Sequence, residues 1–213
     1  MKLLNRIVAL SFSLFLVACS NAGGSSLKVE DSSASDSSVV EEENVEVEET
    51  TETNESRDVL VVYFSATGTT KGVAEKIAAI TKADLYEIVP AIEYTSEDLH
   101  WQDESTRATV EQKDANARPE ISSETISLEG YQTIYIGFPI WWGEEPRIMD
   151  SFVESYDFDG KTLIPFCTSG SSGIGNSGKN LAGYAGSGNW LEGKRFSATT
   201  SEAELEDWIN SLQ

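Results

Sequence analysis

Ser65-Ala-Thr-Gly-Thr-Thr70 places four hydroxyls and a glycine between an apolar run, residues 59–64, and an amphipathic stretch, residues 71–81. Read as strand, turn and helix, this order makes an anion site. A helix N-terminus presents unpaired N–H groups and a partial positive charge. Ser65, Thr67, Thr69 and Thr70 add hydroxyl donors, and Gly68 lets the backbone close around the anion. Such a loop holds a phosphate without a basic side chain, so a phosphorylated cofactor is implied. A Walker A loop is excluded because Gly-x-x-x-x-Gly-Lys-Ser/Thr occurs nowhere in the chain. A dinucleotide loop is excluded because Gly68 has no companion glycines at the required spacing. Taken alone, the hexapeptide also fits an ordinary capped helix, since Ser and Thr are favoured N-caps.

Two further segments carry unusual chemistry. Pro139-Ile-Trp-Trp-Gly-Glu-Glu-Pro146 offers Trp141 and Trp142, either a stacking platform for a flat ring or a packing pair. Thr168-Ser-Gly-Ser-Ser-Gly-Ile-Gly175 offers backbone donors, or simple flexible linkage. Other chemistries find little support. His100 is the only histidine and has no evident partner, and no histidine, cysteine or carboxylate group has metal-ligand spacing. Without an arguable triad, a hydrolase is not supported. Cys167 reads as a buried, inert thiol.

The elements that must position these loops follow from periodicity. Apolar strands are expected at 59–64, 84–89, 133–138 and 162–168, with a weaker fifth at 190–197. Pro165 implies a bulge or an unpaired position in the fourth strand. The first helix places Val73, Ile77 and Ile80 on one face, beside Ala74 and Ala78. Pro146 opens a helix carrying Ile148, Phe152 and Val153. Ser201-Glu-Ala-Glu204 is a capping box for a last helix whose core face is Leu205, Trp208, Ile209 and Leu212. Strands alternating with helices predict a doubly wound α/β fold. Its five-stranded parallel sheet takes the order 2-1-3-4-5, with helices on both faces and the ligand across the carboxyl ends of strands one and three.

The chain divides at about residue 57. Lys2 and Arg6 precede an apolar run, Ile7 to Val17, too short to span a bilayer. Residues 1–18 read as a signal peptide, because Leu16-Val-Ala-Cys19 resembles a bacterial lipobox. By that resemblance Cys19 becomes the lipidated first mature residue, on the outer side of the membrane. Residues 19–57 read as an acidic Ser/Glu-rich tether; residues 20–57 hold 11 acidic residues against Lys28 and Arg57, too little apolar surface to offset chain entropy. As a flexible coil it would hold a folded domain about 35 Å from its anchor. Residues 58–213 suffice for one well-cored domain, with 25 acidic and 11 basic side chains. That balance argues against nucleic acid and against direct adhesion to anionic lipid.

Residues 58–213 resemble flavodoxins, more narrowly the flavodoxin-like domains of bacterial lipoproteins and small oxidoreductases. The resemblance rests on Ser65-x-Thr-Gly-x-Thr70, Pro139-x-Trp-Trp-Gly143 and Thr168-Ser-Gly-x-Ser-Gly173. A long connection after the second strand, running from Tyr94-Thr-Ser-Glu-Asp-Leu99 to Arg118-Pro-Glu-Ile121, adds to it. It implies FMN. Ser65, Thr67, Gly68, Thr69 and Thr70 would hold the phosphate. Pro139, Ile140, Trp141, Trp142, Gly143, Thr168, Ser169, Gly170 and Gly173 would surround the ring, with Trp141 or Trp142 stacked on it. Glu144 and Glu145 would bring negative charge near the flavin. Two functions fit: an FMN oxidoreductase or electron carrier tethered outside the membrane, or a lipoprotein adaptor that keeps the fold without flavin. Within the first, the partner is a redox protein, a quinone or NAD(P)H, and residues 90–121 would serve an enzyme as a lid.

Overall fold

Val59–Tyr63 forms β1, and in the computed structural model, which describes residues 58–212, four of its five residues are buried. Its neighbours are β2 (Asp84–Glu87) and β3 (Thr133–Pro139), both parallel to it, and β4 (Thr162–Thr168) pairs with β3 in the same sense. The path is β2-β1-β3-β4-β5, the expected order. The fifth position departs from expectation. Two short strands, β5 (Asn189–Trp190) and β6 (Lys194–Phe196), share it, pairing successively with the two ends of β4.

Pro165 accounts for that division. The Leu163 carbonyl accepts from Leu191 N at 2.9 Å, so Pro165, two residues on, turns its donorless nitrogen toward the same edge. No bulge results: Pro165 keeps its register with Ile136 on the inner side, and the outer side is the gap between β5 and β6.

Alternation along the buried strands feeds two cores. Leu60, Val62, Ile134 and Ile136 face α3 (Arg147–Glu154) and α4 (Ser177–Ala185), through Ile148, Phe152, Val153 and Leu181. Val61, Tyr63, Tyr135 and Ile164 face α1 (Thr69–Thr81) and α5 (Glu202–Asn210), through Val73, Ile77, Leu205, Trp208 and Ile209. Ser201 caps α5 as its sequence predicts, accepting from Glu204 N at 3.2 Å.

The long connection contains an unpredicted helix, α2 (Arg107–Lys113), and α4 was likewise not foreseen. In α4, Ser-Gly-Lys-Asn-Leu-Ala-Gly-Tyr-Ala has Leu181 as its only buried apolar side chain, so no 3.6-residue period appears. Among the described residues, no helix is long and apolar enough to cross a membrane. The signal peptide, Cys19 and the tether lie outside the described residues.

Candidate functional site

The chain leaves the sheet after Phe64, whose N–H still donates to Gly137 O at 2.9 Å. Gly68 is the N-cap of α1 at φ +82°, a left-handed conformation that glycine adopts without steric penalty. Lacking a side chain, it leaves the first-turn N–H groups of α1 uncapped, and no acidic residue competes for them there. Thr67 is exposed and Thr69 half-buried, while Ser65 Oγ is buried without a hydrogen-bond partner. Thr70 differs from its neighbours: it is buried, with Oγ1 2.8 Å from Thr168 Oγ1, so its hydroxyl joins the first loop to the third. Lys71 turns away to Glu87 at 3.3 Å, leaving the loop without a basic side chain. Free N–H groups, hydroxyls and one orphaned buried oxygen form a donor set that fits a phosphate.

The second loop follows β3. Trp141 N donates to Glu144 O at 2.9 Å and Glu144 N to Trp141 O at 3.0 Å, closing a tight turn. Its central residues, Trp142 at φ +49° and Gly143 at φ +87°, give it the double positive φ of a type I′ turn. The two tryptophans therefore part company. Trp141 packs edge-on against Phe64 at 5.6 Å and against Tyr94 at 5.0 Å, whereas Trp142 is 44% exposed. Trp142 is the more exposed of the two and the better placed to stack on a ring. Pro139 ends β3 opposite Thr168, and Ile140 N donates to Thr168 O at 3.1 Å.

The third loop follows β4 and is pinned from an edge the sequence did not suggest. Arg195 on β6 donates from Nη2 to Ser169 O at 2.6 Å and to Gly170 O at 2.7 Å, and from Nε to Ser169 Oγ at 3.2 Å. Ser169 Oγ also donates to Ser172 O. Thr168 is buried, whereas Gly170 and Gly173 are exposed. Ser65 to Thr70, Pro139 to Gly143 and Thr168 to Gly173 thus gather at the carboxyl ends of β1, β3 and β4, adjacent strands in the order β1-β3-β4.

Beneath the second loop lies a buried polar group with little sequence signal. Glu145 and Asp150 are fully buried, and Arg147 nearly so. Arg147 reaches Glu144 Oε2 at 3.2 Å, Asp150 Oδ2 at 3.4 Å and the Gln112 carbonyl at 3.0 Å. Gln112 Nε2, from α2, donates to Glu145 O at 3.0 Å. The two glutamates therefore differ. Glu144 has its charge offset by Arg147, and burial pushes the Glu145 carboxyl upward, toward its neutral form. Burial and the nearby Glu145 also raise Asp150 to about 7, against Arg147 and Arg118. Cys167 is fully buried, its thiol pushed up to about 12, an inert state. His100 is exposed in the long connection, away from any strand end.

Comparison with known proteins places this geometry. The flavodoxin family profile matches residues 58–212. A candidate flavoprotein from Bacteroides uniformis is 47% identical, covering 72% of this chain and 97% of its own, with a TM-score of 0.69. Another, from Bacteroides eggerthii, is 44% identical over 72% of this chain and 96% of its own, with a TM-score of 0.68. A flavoprotein from Lactobacillus acidophilus, crystallised in complex with FMN, is 22% identical over 72% of this chain and 99% of its own. Its TM-score of 0.53 is a likeness of fold. No curated protein matches the chain. With the sheet order, the three loops and the match over residues 58–212 in agreement, this chain belongs to the flavodoxin family.

Proposed function

We propose that the domain binds FMN and serves as an oxidoreductase or electron carrier held outside the membrane by a lipid on Cys19. One observation carries the cofactor reading: the uncapped start of α1, with the buried, partnerless Ser65 Oγ beside it, leaves a set of donors suited to an anion. Bound FMN would supply the redox chemistry, accepting and releasing electrons. The protein's share is to hold and orient it. Ser65, Thr67, Gly68, Thr69 and the Thr70 N–H would take the phosphate. Trp142 would cover one face of the ring, and the backbone of residues 168–173, held by Arg195, would meet its edge. The lipid anchor is supported by Leu16-Val-Ala-Cys19, and the partner would be a redox protein, a quinone or NAD(P)H.

The test is the absorption spectrum of the purified protein after incubation with FMN and desalting. The expected result is a retained flavin band that a Ser65→Ala/Thr69→Ala variant loses. A protein that never retains FMN overturns the oxidoreductase reading and leaves the fold acting as a binding module. If the band is retained, steady turnover with NADPH and a quinone identifies an enzyme, and its absence a carrier.

A further inference from the structure

Glu145 is the first residue beyond the type I′ turn, with its whole side chain out of solvent. It touches two helices. Its carbonyl accepts from Gln112 Nε2 of α2 at 3.0 Å, and its Oε2 accepts from Asn180 Nδ2 of α4 at 3.4 Å. The Ser177 hydroxyl, in the first turn of α4, lies beside the carboxyl without closing a hydrogen bond. The loops on either side meet directly: a Cβ built on Gly175 would stand 3.3 Å from Gly143 O. The second and third loops are thus joined through Glu145 below and Gly143–Gly175 above.

We propose that Glu145 is a positioning residue of the cofactor site: its buried carboxyl clasps the loop after β3 to the start of α4 and fixes the gap between the two loops that flank the flavin ring. The inference rests on the FMN reading above. Burial favours the neutral form of the clasp, against the Ser177 and Asn180 donors that favour the charged one. Around it stand Glu144 on the loop, Arg147 and Asp150 on α3, and Arg118 at the end of the long connection. The two arginines are engaged elsewhere, Arg147 with Glu144, Asp150 and the Gln112 carbonyl, Arg118 with Glu154 and Asp150. No ion pair to Glu145 exists among the described residues, and Glu144 next to it disfavours its negative charge. Glu145 Oε1, Ser177 Oγ and Gln112 Oε1 are all buried without partners. The Ser177 hydroxyl can donate to the carboxyl oxygen beside it, a contact that a small movement of the loop toward α4 would close. A carboxyl raised by its folded surroundings contributes stability while protonated and loses it as pH rises through its folded value. Ionisation leaves an unpaired buried charge under the turn and loosens both loops.

The test compares the purified native protein with Glu145→Gln, Glu145→Ala and Asp150→Asn. FMN dissociation constants are measured from pH 5 to pH 9, alongside hydrogen exchange of the apoprotein over residues 141–145 and 174–177. The native protein and Asp150→Asn are expected to weaken as pH rises. Glu145→Gln, which keeps the shape without the titration, should bind at native strength at the acid end and stay flat. Glu145→Ala should bind FMN about tenfold more weakly, the loss expected for one buried hydrogen bond. It should also speed exchange at both loops together. A native pH profile in Glu145→Gln, or native exchange at both loops in Glu145→Ala, overturns the proposal. If the native protein takes no FMN, the cofactor reading fails, and exchange in the apoprotein still decides the clasp.

Discussion

At Trp142 backbone strain and exposure coincide. A bulky side chain at φ +49° sits in a region that such residues avoid, and the conformation costs about 1 kcal/mol. The indole is 44% exposed, whereas its neighbour Trp141 is held by Phe64 and Tyr94. Strain combined with exposure fits a residue whose partner is a ligand. Trp142→Asn places a residue that tolerates the left-handed region at the same point in the turn. The variant should melt roughly 2–4 °C higher as apoprotein by calorimetry. It should also bind FMN more weakly by fluorescence titration. A variant that binds FMN at native strength would remove Trp142 from the ring site.

The long connection, residues 90–121, is fastened at its start, middle and end. Tyr94 packs on Trp141 and Phe64 at its start, Gln112 donates into the second loop, and Arg118 closes its end with a two-pronged pair to Glu154 at 2.8 and 2.7 Å. Arg118 also lies 3.8 Å from the buried Asp150 and 4.9 Å from the centre of the Tyr184 ring. Removing it would leave a buried carboxyl without one of its two cations. Arg118→Ala should cost about 2 kcal/mol in urea unfolding, discounted for the partial exposure of the pair, and speed hydrogen exchange across residues 107–121. Lys113→Ala breaks the exposed pair with Glu104 and should change stability by no more than about 0.5 kcal/mol. If both variants unfold alike, Arg118 is not the anchor of this connection.

Across the whole chain, a compact acidic domain follows a segment whose composition cannot form a core. The proposed arrangement puts the domain on a lipid anchor at Cys19, with its own net negative charge keeping it off anionic lipid. Cys19→Ser should move the protein from the membrane fraction to the soluble fraction when host cells are fractionated, with the flavin band of the purified protein unchanged. A variant that stays with the membrane would show that something other than Cys19 holds it there.

Much of this protein was legible before folding. The strands announced themselves as apolar runs, α1 and α5 by their period, and the three loops by residue types that suit a phosphate and a ring, because each of these signals is local. What depended on residues distant in sequence was not legible. Nothing near Arg195 marks it as the clamp on Ser169 and Gly170, 25 and more residues earlier, and Pro165 splitting the edge strand depends on which side of β4 that strand lies. Tertiary packing likewise separated Trp141 from Trp142 and Glu144 from Glu145, neighbours that composition treats as equivalent. The sequence determined which groups could bind; burial and the partners brought in from other elements determined which side chain faces solvent and which carboxyl is pushed toward its neutral form.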